Sequence, residues 1–371
     1  MAFVIRYASL SGEIPSRNPT RSPEHPILCM TTDTKSELAA ILTGAAVFPL
    51  DDRAFLRITG SDATRWLNGM VTNSIQSLAP REGNYNFLLN AQGRIQGDCT
   101  IYREPREEPT FLLETDAAQI DAIRLHLDRF IIMDDVELAP VEDLAGILVA
   151  GPQALSIVMA LGTANHQAAP CSPDAQAPPT QTLNLKQTLY AGAPVSLIQA
   201  YSPLVPRFEI WSDPSTIASI LAELRDTHAV PACAAEVLEL LRILSATPKY
   251  GTDIRDRDLP QETNQTHALH FTKGCYLGQE IVERIRSRGQ VHRTFTGFRL
   301  TALPATLPAP LTSDGKAAGE LTSAAIVPLP EGDAILALGY VRREALDRNQ
   351  PLDYEGGAAT PIALPFRMTT S

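Results

Sequence analysis

Apolar and polar positions alternate through Ala54-Phe55-Leu56-Arg57-Ile58-Thr59-Gly60, a pattern that predicts a half-buried strand. Directly after it, Ala63, Trp66, Leu67 and Met70 recur at helical spacing, and Ser61 or Asp62 is placed to cap that helix. Tyr85 to Asn90 and Ile95 to Tyr102 read as two strands around the tight turn Ala91-Gln92-Gly93-Arg94, where Gly93 tolerates a positive φ. Residues 110–114 give another strand, and Asp116 is expected to start a helix with Ile120, Ile123, Leu127 and Phe130 on one face. Strands follow near 194–200 and 207–211, then helices near 215–226 and 232–245. Strands and helices mix without a repeating βαβ unit, which predicts an α+β fold. Short β-type runs such as Ala334 to Val341 predict a small all-β module at the end of the chain. The Ala-, Pro-, Gln- and Ser-rich residues 162–182 read as an exposed linker.

At 371 residues the chain exceeds what one core usually organises, so two or three modules are expected. A net charge of −11 argues against nucleic-acid binding as the main role, since phosphate recognition draws on clustered Lys and Arg. Cysteines 29, 99, 171, 233 and 275 are odd in number and widely spaced, with no Cys-x-x-Cys. That suits free thiols in a reducing compartment and offers no zinc or ferredoxin ligand spacing, so no metal site is expected. No apolar run reaches the length of a membrane-spanning helix, about 18 residues. Residues 1–29 lack an apolar signal core and read as a disordered extension or an early start codon, with a plausible helix beginning after them at Lys35.

The densest chemistry lies between Tyr250 and Arg293. This stretch is polar, irregular before residue 275, and flanked by well-patterned elements, which marks it as functional. Within it, Lys273-Gly274-Cys275-Tyr276-Leu277-Gly278-Gln279-Glu280 places Cys275 just before a helix that starts near Gln279. A helix N-terminus and the neighbouring Lys273 would both favour thiolate. Physics alone leaves two readings open: a reactive or substrate-contacting thiol, or a small buried side chain in a tight loop. His267, His270 and Cys275 match no strong metal template. The alternating charges Asp253 to Asp258 are expected to be a solvated, self-paired loop. Trp66 and Trp211 are expected in the core.

Residues 273–280 resemble the Lys-Gly-Cys-Tyr-x-Gly-Gln-Glu signature of the YgfZ-type family, within the GcvT-like superfamily of folate-dependent proteins. Leu56 to Asp62, Leu67 to Asn73 and Leu88 to Ile95 are similar to that family's N-terminal strand, helix and hairpin. Gly319 to Ser323 and Ala337 to Val341 are similar to its C-terminal barrel. The resemblance implies a three-domain cloverleaf with a central folate channel. Its expected parts are a folate-binding domain (30–145 plus 235–290), a second α+β domain (146–234) and a C-terminal β-barrel (291–371). It implies tetrahydrofolate or a derivative as cofactor, with Asn68, Tyr85, Asn90, Arg242 and Tyr276 near the pterin and Cys275, Lys273 and Asp98 as candidate catalytic groups. It further implies a cytoplasmic monomer supporting synthesis or repair of iron–sulfur enzymes, with tRNA modification affected indirectly. Its partners would be the iron–sulfur assembly machinery or client enzymes, with no direct nucleic acid and no membrane.

The alternative is a tetrahydrofolate-dependent aminomethyltransferase like the glycine-cleavage T protein. Against it, Gly97 replaces one Asp of the T protein's Gly-Gly-x-x-Asp-Asp hairpin, leaving Asp98. Leu238 and Leu244 stand where an Arg and a Glu would be, although Arg242 is kept. Leu204-Val205-Pro206-Arg207 replaces Tyr-x-Gly-Glu.

Overall fold

The computed structural model describes residues 32–161, 183–289, 291–329 and 332–366. The N-terminal extension, Cys29, and the 162–182 linker with Cys171 lie outside the described residues. The first helix, α1 (Thr32–Thr43), leads into β1 (Ala46–Pro49) and β2 (Arg53–Thr59), then α2 (Ala63–Met70). Next come β3 (Glu82–Leu89), β4 (Ile95–Arg103), β5 (Phe111–Asp116), α3 (Ile120–Asp128), β6 (Glu137–Val141), β7 (Ala145–Ala150) and α4 (Ala154–Ala160). After the linker come β8 (Leu183–Tyr190), β9 (Ala193–Gln199), β10 (Arg207–Ser212), α5 (Pro214–Asp226) and α6 (Ala235–Leu244). An irregular stretch then reaches α7 (Gln279–Arg288). The remainder is β11 (Arg293–Leu300), β12 (Ala309–Ser313), β13 (Lys316–Leu329), β14 (Gly332–Arg342), α8 (Arg343–Asp347), β15 (Leu352–Tyr354) and β16 (Gly357–Ile362).

Among the described residues, β1 to β10 form one ten-stranded sheet in the order β1-β7-β10-β9-β8-β3-β4-β5-β2-β6. Its halves are joined in strand register at β3 and β8, where Glu82 pairs with Asn184 and Gly83 with Leu183. The strands β11-β14-β13-β12-β15-β16 close into a barrel. Neighbouring strands pair antiparallel, so the α+β reading and the closing barrel both hold. β1 pairs with β7, which seats the first strand in the second half of the sheet.

Local chemistry accounts for the elements near the site. The β3–β4 turn closes because Asn90 Oδ1 accepts the backbone N–H of Gln92 and of Arg94, each at 3.0 Å, while Gly93 sits at φ +69. Asp116 starts an Asx turn rather than the helix. It accepts from Ala118 N at 2.9 Å, and α3 begins at Ile120. Trp66 and Trp211 are core residues, 4% and 3% exposed. Among the described residues no helix is long and apolar enough to cross a membrane.

Candidate functional site

The signature segment is held against the end of α2 by hydrogen bonds that bridge some two hundred positions of chain. Thr72 donates its hydroxyl to Ala268 O at 2.7 Å, and Asn73 Nδ2 donates to His267 O at 2.9 Å. His270 N donates to Thr72 O at 3.2 Å and Leu277 N to Gly69 O at 3.0 Å. The Asn68-to-Asn73 motif therefore acts as a clamp on residues 267–277.

Lys273 completes that clamp. Its Nζ donates to Asn68 O and Val71 O, both at 2.7 Å, and to Asn73 O at 2.5 Å. The ammonium thus gathers carbonyls at and just beyond the C-terminal end of α2, where a cation is favoured. It also lies 5.0 Å from the Tyr276 ring centroid. Burial pulls the amine down to about 7. The carbonyls oppose that pull, since a neutral amine would turn a lone pair toward one of them.

Gly278 explains the glycine before Gln279. It sits at φ +81, and a methyl there would lie 2.5 Å from Asn90 O and 3.1 Å from Gly93 Cα. The β3–β4 turn and the start of α7 touch backbone to backbone at this point. Gln279 fixes the entry to the helix by accepting from Tyr276 N at 3.0 Å. Gly274 differs: it is not left-handed, and a methyl would meet nothing within 4 Å. Gly278→Ala should lower the unfolding free energy by about 1–3 kcal/mol in urea titration. Gly274→Ala should change it by less than about 0.5 kcal/mol.

Between these anchors Cys275 is exposed, whereas Cys99 and Cys233 are buried. Tyr276 turns inward onto a cluster of Phe87, Leu89, Ile95, Ile254, Ala268 and Val282, joined by Tyr85 and Tyr250. Burial raises its hydroxyl well above the usual tyrosine range.

A second group lies deeper. Tyr85 donates to Asp98 Oδ2 at 2.6 Å, and Gln119 Nε2 donates to Asp98 Oδ1 at 2.8 Å. Tyr85 stacks on His267 with ring centroids 5.4 Å apart, and His267 stacks on Tyr201 at 4.3 Å. Asp98 is half-buried on β4, beside a Gly97 whose missing side chain would meet Ile123 Cγ1 at 3.0 Å. Burial lowers His267 to about 4. The unfolded residue titrates near 6.5, so the unfolded state binds more protons between these values. Stability from this group is present above about 6.5 and declines by at most about 3 kcal/mol as pH falls to about 4. His267→Phe should keep the stack and flatten that part of the acid limb, read by urea unfolding across the window.

The remaining expected ligand contacts already carry hydrogen bonds within the protein. Asn68 Oδ1 accepts from Ile75 N at 3.0 Å, Asn90 holds its turn, and every N–H of Arg242 has a partner. The expected solvated loop is corrected here: Asp253 and Asp258 are both 0% exposed. They point inward because arginines and barrel hydroxyls wait there.

Sequence reasoning missed Tyr201 and a buried charge set. Arg53 pairs with Glu114 at 2.8 Å, and Arg207 with Glu209 at 2.8 Å. Burial, and then nearby Glu209, push the Glu114 acid up, against the pull of Arg53. The available signal was a lone Glu in each of two apolar strands, Phe111 to Thr115 and Phe208 to Trp211.

Residues 23–273 match the GCVT N-terminal domain family. A "tRNA-modifying protein YgfZ" from Colwellia psychrerythraea is 26% identical, covering 77% of this chain and 80% of its own. An "Iron-sulfur cluster assembly factor IBA57, mitochondrial" from Mus musculus is 28% identical, covering 81% and 78%. An "Aminomethyltransferase" from Nostoc sp. is 26% identical, covering 89% and 86%. The crystal structure of glycine cleavage system aminomethyltransferase T from Bartonella henselae superposes with a TM-score of 0.75 at 17% identity, covering 90% of each chain, which bears out the fold.

Proposed function

Since the chain belongs to the GCVT N-terminal domain family, we propose that it is a YgfZ-type tetrahydrofolate-binding protein supporting synthesis or repair of iron–sulfur enzymes, with tRNA modification affected downstream. Relatives named as an iron–sulfur assembly factor and a tRNA-modifying protein support this reading. The observation that carries it is the presentation of Cys275. The two described cysteines that serve packing are buried, yet this one is exposed on a loop braced from both sides by Lys273 and Gly278. A thiol held outward between half-buried anchors suits chemistry or contact with a partner better than packing. Assembly machinery or client enzymes are the partners this implies.

The interior residues suit a folate. Tyr85, His267 and Tyr201 form an aromatic stack that a heterocycle could extend, and Asp98 can accept from ring N–H donors. Asn68, Asn90 and Arg242 would serve by shaping the surrounding backbone. Bound folate would supply a one-carbon carrier.

Calorimetric titration with tetrahydrofolate tests the cofactor reading. Saturable binding, weakened at least about tenfold by Tyr85→Ala, supports it. No binding by the folded wild-type chain sinks it. A second reading, aminomethyl transfer, rests on the half-buried Asp98 carboxylate. Turnover of an aminomethyl-lipoyl carrier protein with tetrahydrofolate would put that reading first.

A further inference from the structure

Beside the barrel lies a cleft of about 730 Å³ that plays no part in the site above. Its wall gathers arginines from three separate places: Arg94 from the β3–β4 turn, Arg257 from the loop before α7, and Arg293 and Arg342 from β11 and β14. Two carboxylates share the wall, Glu262 and Glu320. Glu320 already pairs with Arg255 at 2.6 Å, Arg257 at 3.0 Å and Arg293 at 3.1 Å. Glu262 pairs with Arg293 at 3.1 Å, and Arg293 also holds the buried Asp258.

Arg94 and Arg342 stand apart from this network. Both are exposed, and among the described residues neither has a carboxylate within ion-pair distance. Arg94 donates instead to the carbonyl of Arg257 at 2.5 Å. Four guanidinium groups against two carboxylates leave the wall at +2, on a chain whose net charge is −11. Such a local reversal of sign focuses anions. A further wall residue, Tyr340, is 0% exposed, and its hydroxyl has no hydrogen-bond partner. A buried hydroxyl left in that state is costly unless a ligand completes it.

We propose that this cleft binds a small oligoanion, a molecule bearing two or more carboxylate or phosphoryl groups. The planar fork of each free guanidinium matches the paired oxygens of either group. Arg257 and Arg293, steered by Glu320 and Glu262, form the fixed part of the wall. Arg94 and Arg342 supply the charge that remains for the ligand. This site does not depend on the folate reading.

The test is calorimetric titration of the full chain with pyrophosphate and, separately, with citrate at low ionic strength. Saturable binding of at least one anion is expected, falling at least about tenfold in R94Q/R342Q. The tighter anion assigns phosphoryl or carboxylate chemistry. Both side chains are exposed and free of ion pairs, and only one exposed hydrogen bond, from Arg94 to the Arg257 carbonyl, is altered, so the variant should keep a melting temperature near that of the wild type; single variants R94Q and R342Q provide the same reading should the double variant fail to fold. No saturable binding of either anion, or an affinity unchanged in the folded variants, overturns the site.

Discussion

Arg242→Met should lower the unfolding free energy by about 3–5 kcal/mol, the range expected when one partner of a buried ion pair is removed. Arg242 Nε and Nη2 donate to the two Glu239 oxygens at 2.7 and 2.6 Å. Its Nη1 donates to Thr247 O at 2.7 Å and Asp253 Oδ2 at 2.6 Å, and Nη2 also reaches Ser323 Oγ at 2.7 Å. Asp253, fully buried, accepts in addition from Lys249 N at 2.9 Å, from Ser323 Oγ at 2.8 Å and from the Thr322 hydroxyl. This node ties α6 and the irregular stretch to barrel strand β13. Removing the guanidinium strands a charge with no water to receive it. R242M/D253N should recover part of the loss, because the stranded charge goes too. Urea unfolding measures both. A change below about 1 kcal/mol in R242M would show that the node does not hold α6 and the irregular stretch to the barrel.

Lys273→Met should cost about 2–4 kcal/mol, since three carbonyls lose one shared cationic donor. Lys273→Arg should not restore it. A flat guanidinium cannot converge on three oxygens around a single nitrogen. The loss should be local as well as global: hydrogen exchange should quicken at Leu277 N, which bonds Gly69 O across the clamp. Unchanged exchange there would mean that Lys273 is not the brace of the loop.

These two residues also mark where sequence reading stopped. The β3–β4 hairpin was legible because Asn90 and Gly93 are local turn chemistry, and α7 because its start lies beside its own signature. Lys273 was read toward its sequence neighbour Cys275, but its acceptors lie 200 to 205 positions away. The Asp253–Asp258 run alternates in sign as solvated loops do. What buries it is Arg242 on α6 and hydroxyls about 70 positions later on β13. Tyr201 meets His267 from the other half of the sheet, which joins the first at β3 and β8 in a register that no local pattern encodes. The signature was therefore found by its residues, and its glycines pointed to a close backbone approach that Gly278 makes, while the distant acceptors of Lys273 appeared only once the chain was folded.

The most direct measurement is the activity of several iron–sulfur enzymes in a deletion strain carrying Cys275→Ser. The thiol is exposed, so the variant should accumulate to wild-type levels with an unchanged melting temperature. The account predicts that iron–sulfur enzyme activities stay near those of the deletion strain, with wild-type protein restoring them. Full restoration by the Ser variant would contradict the claim that the braced loop exists to present a thiol.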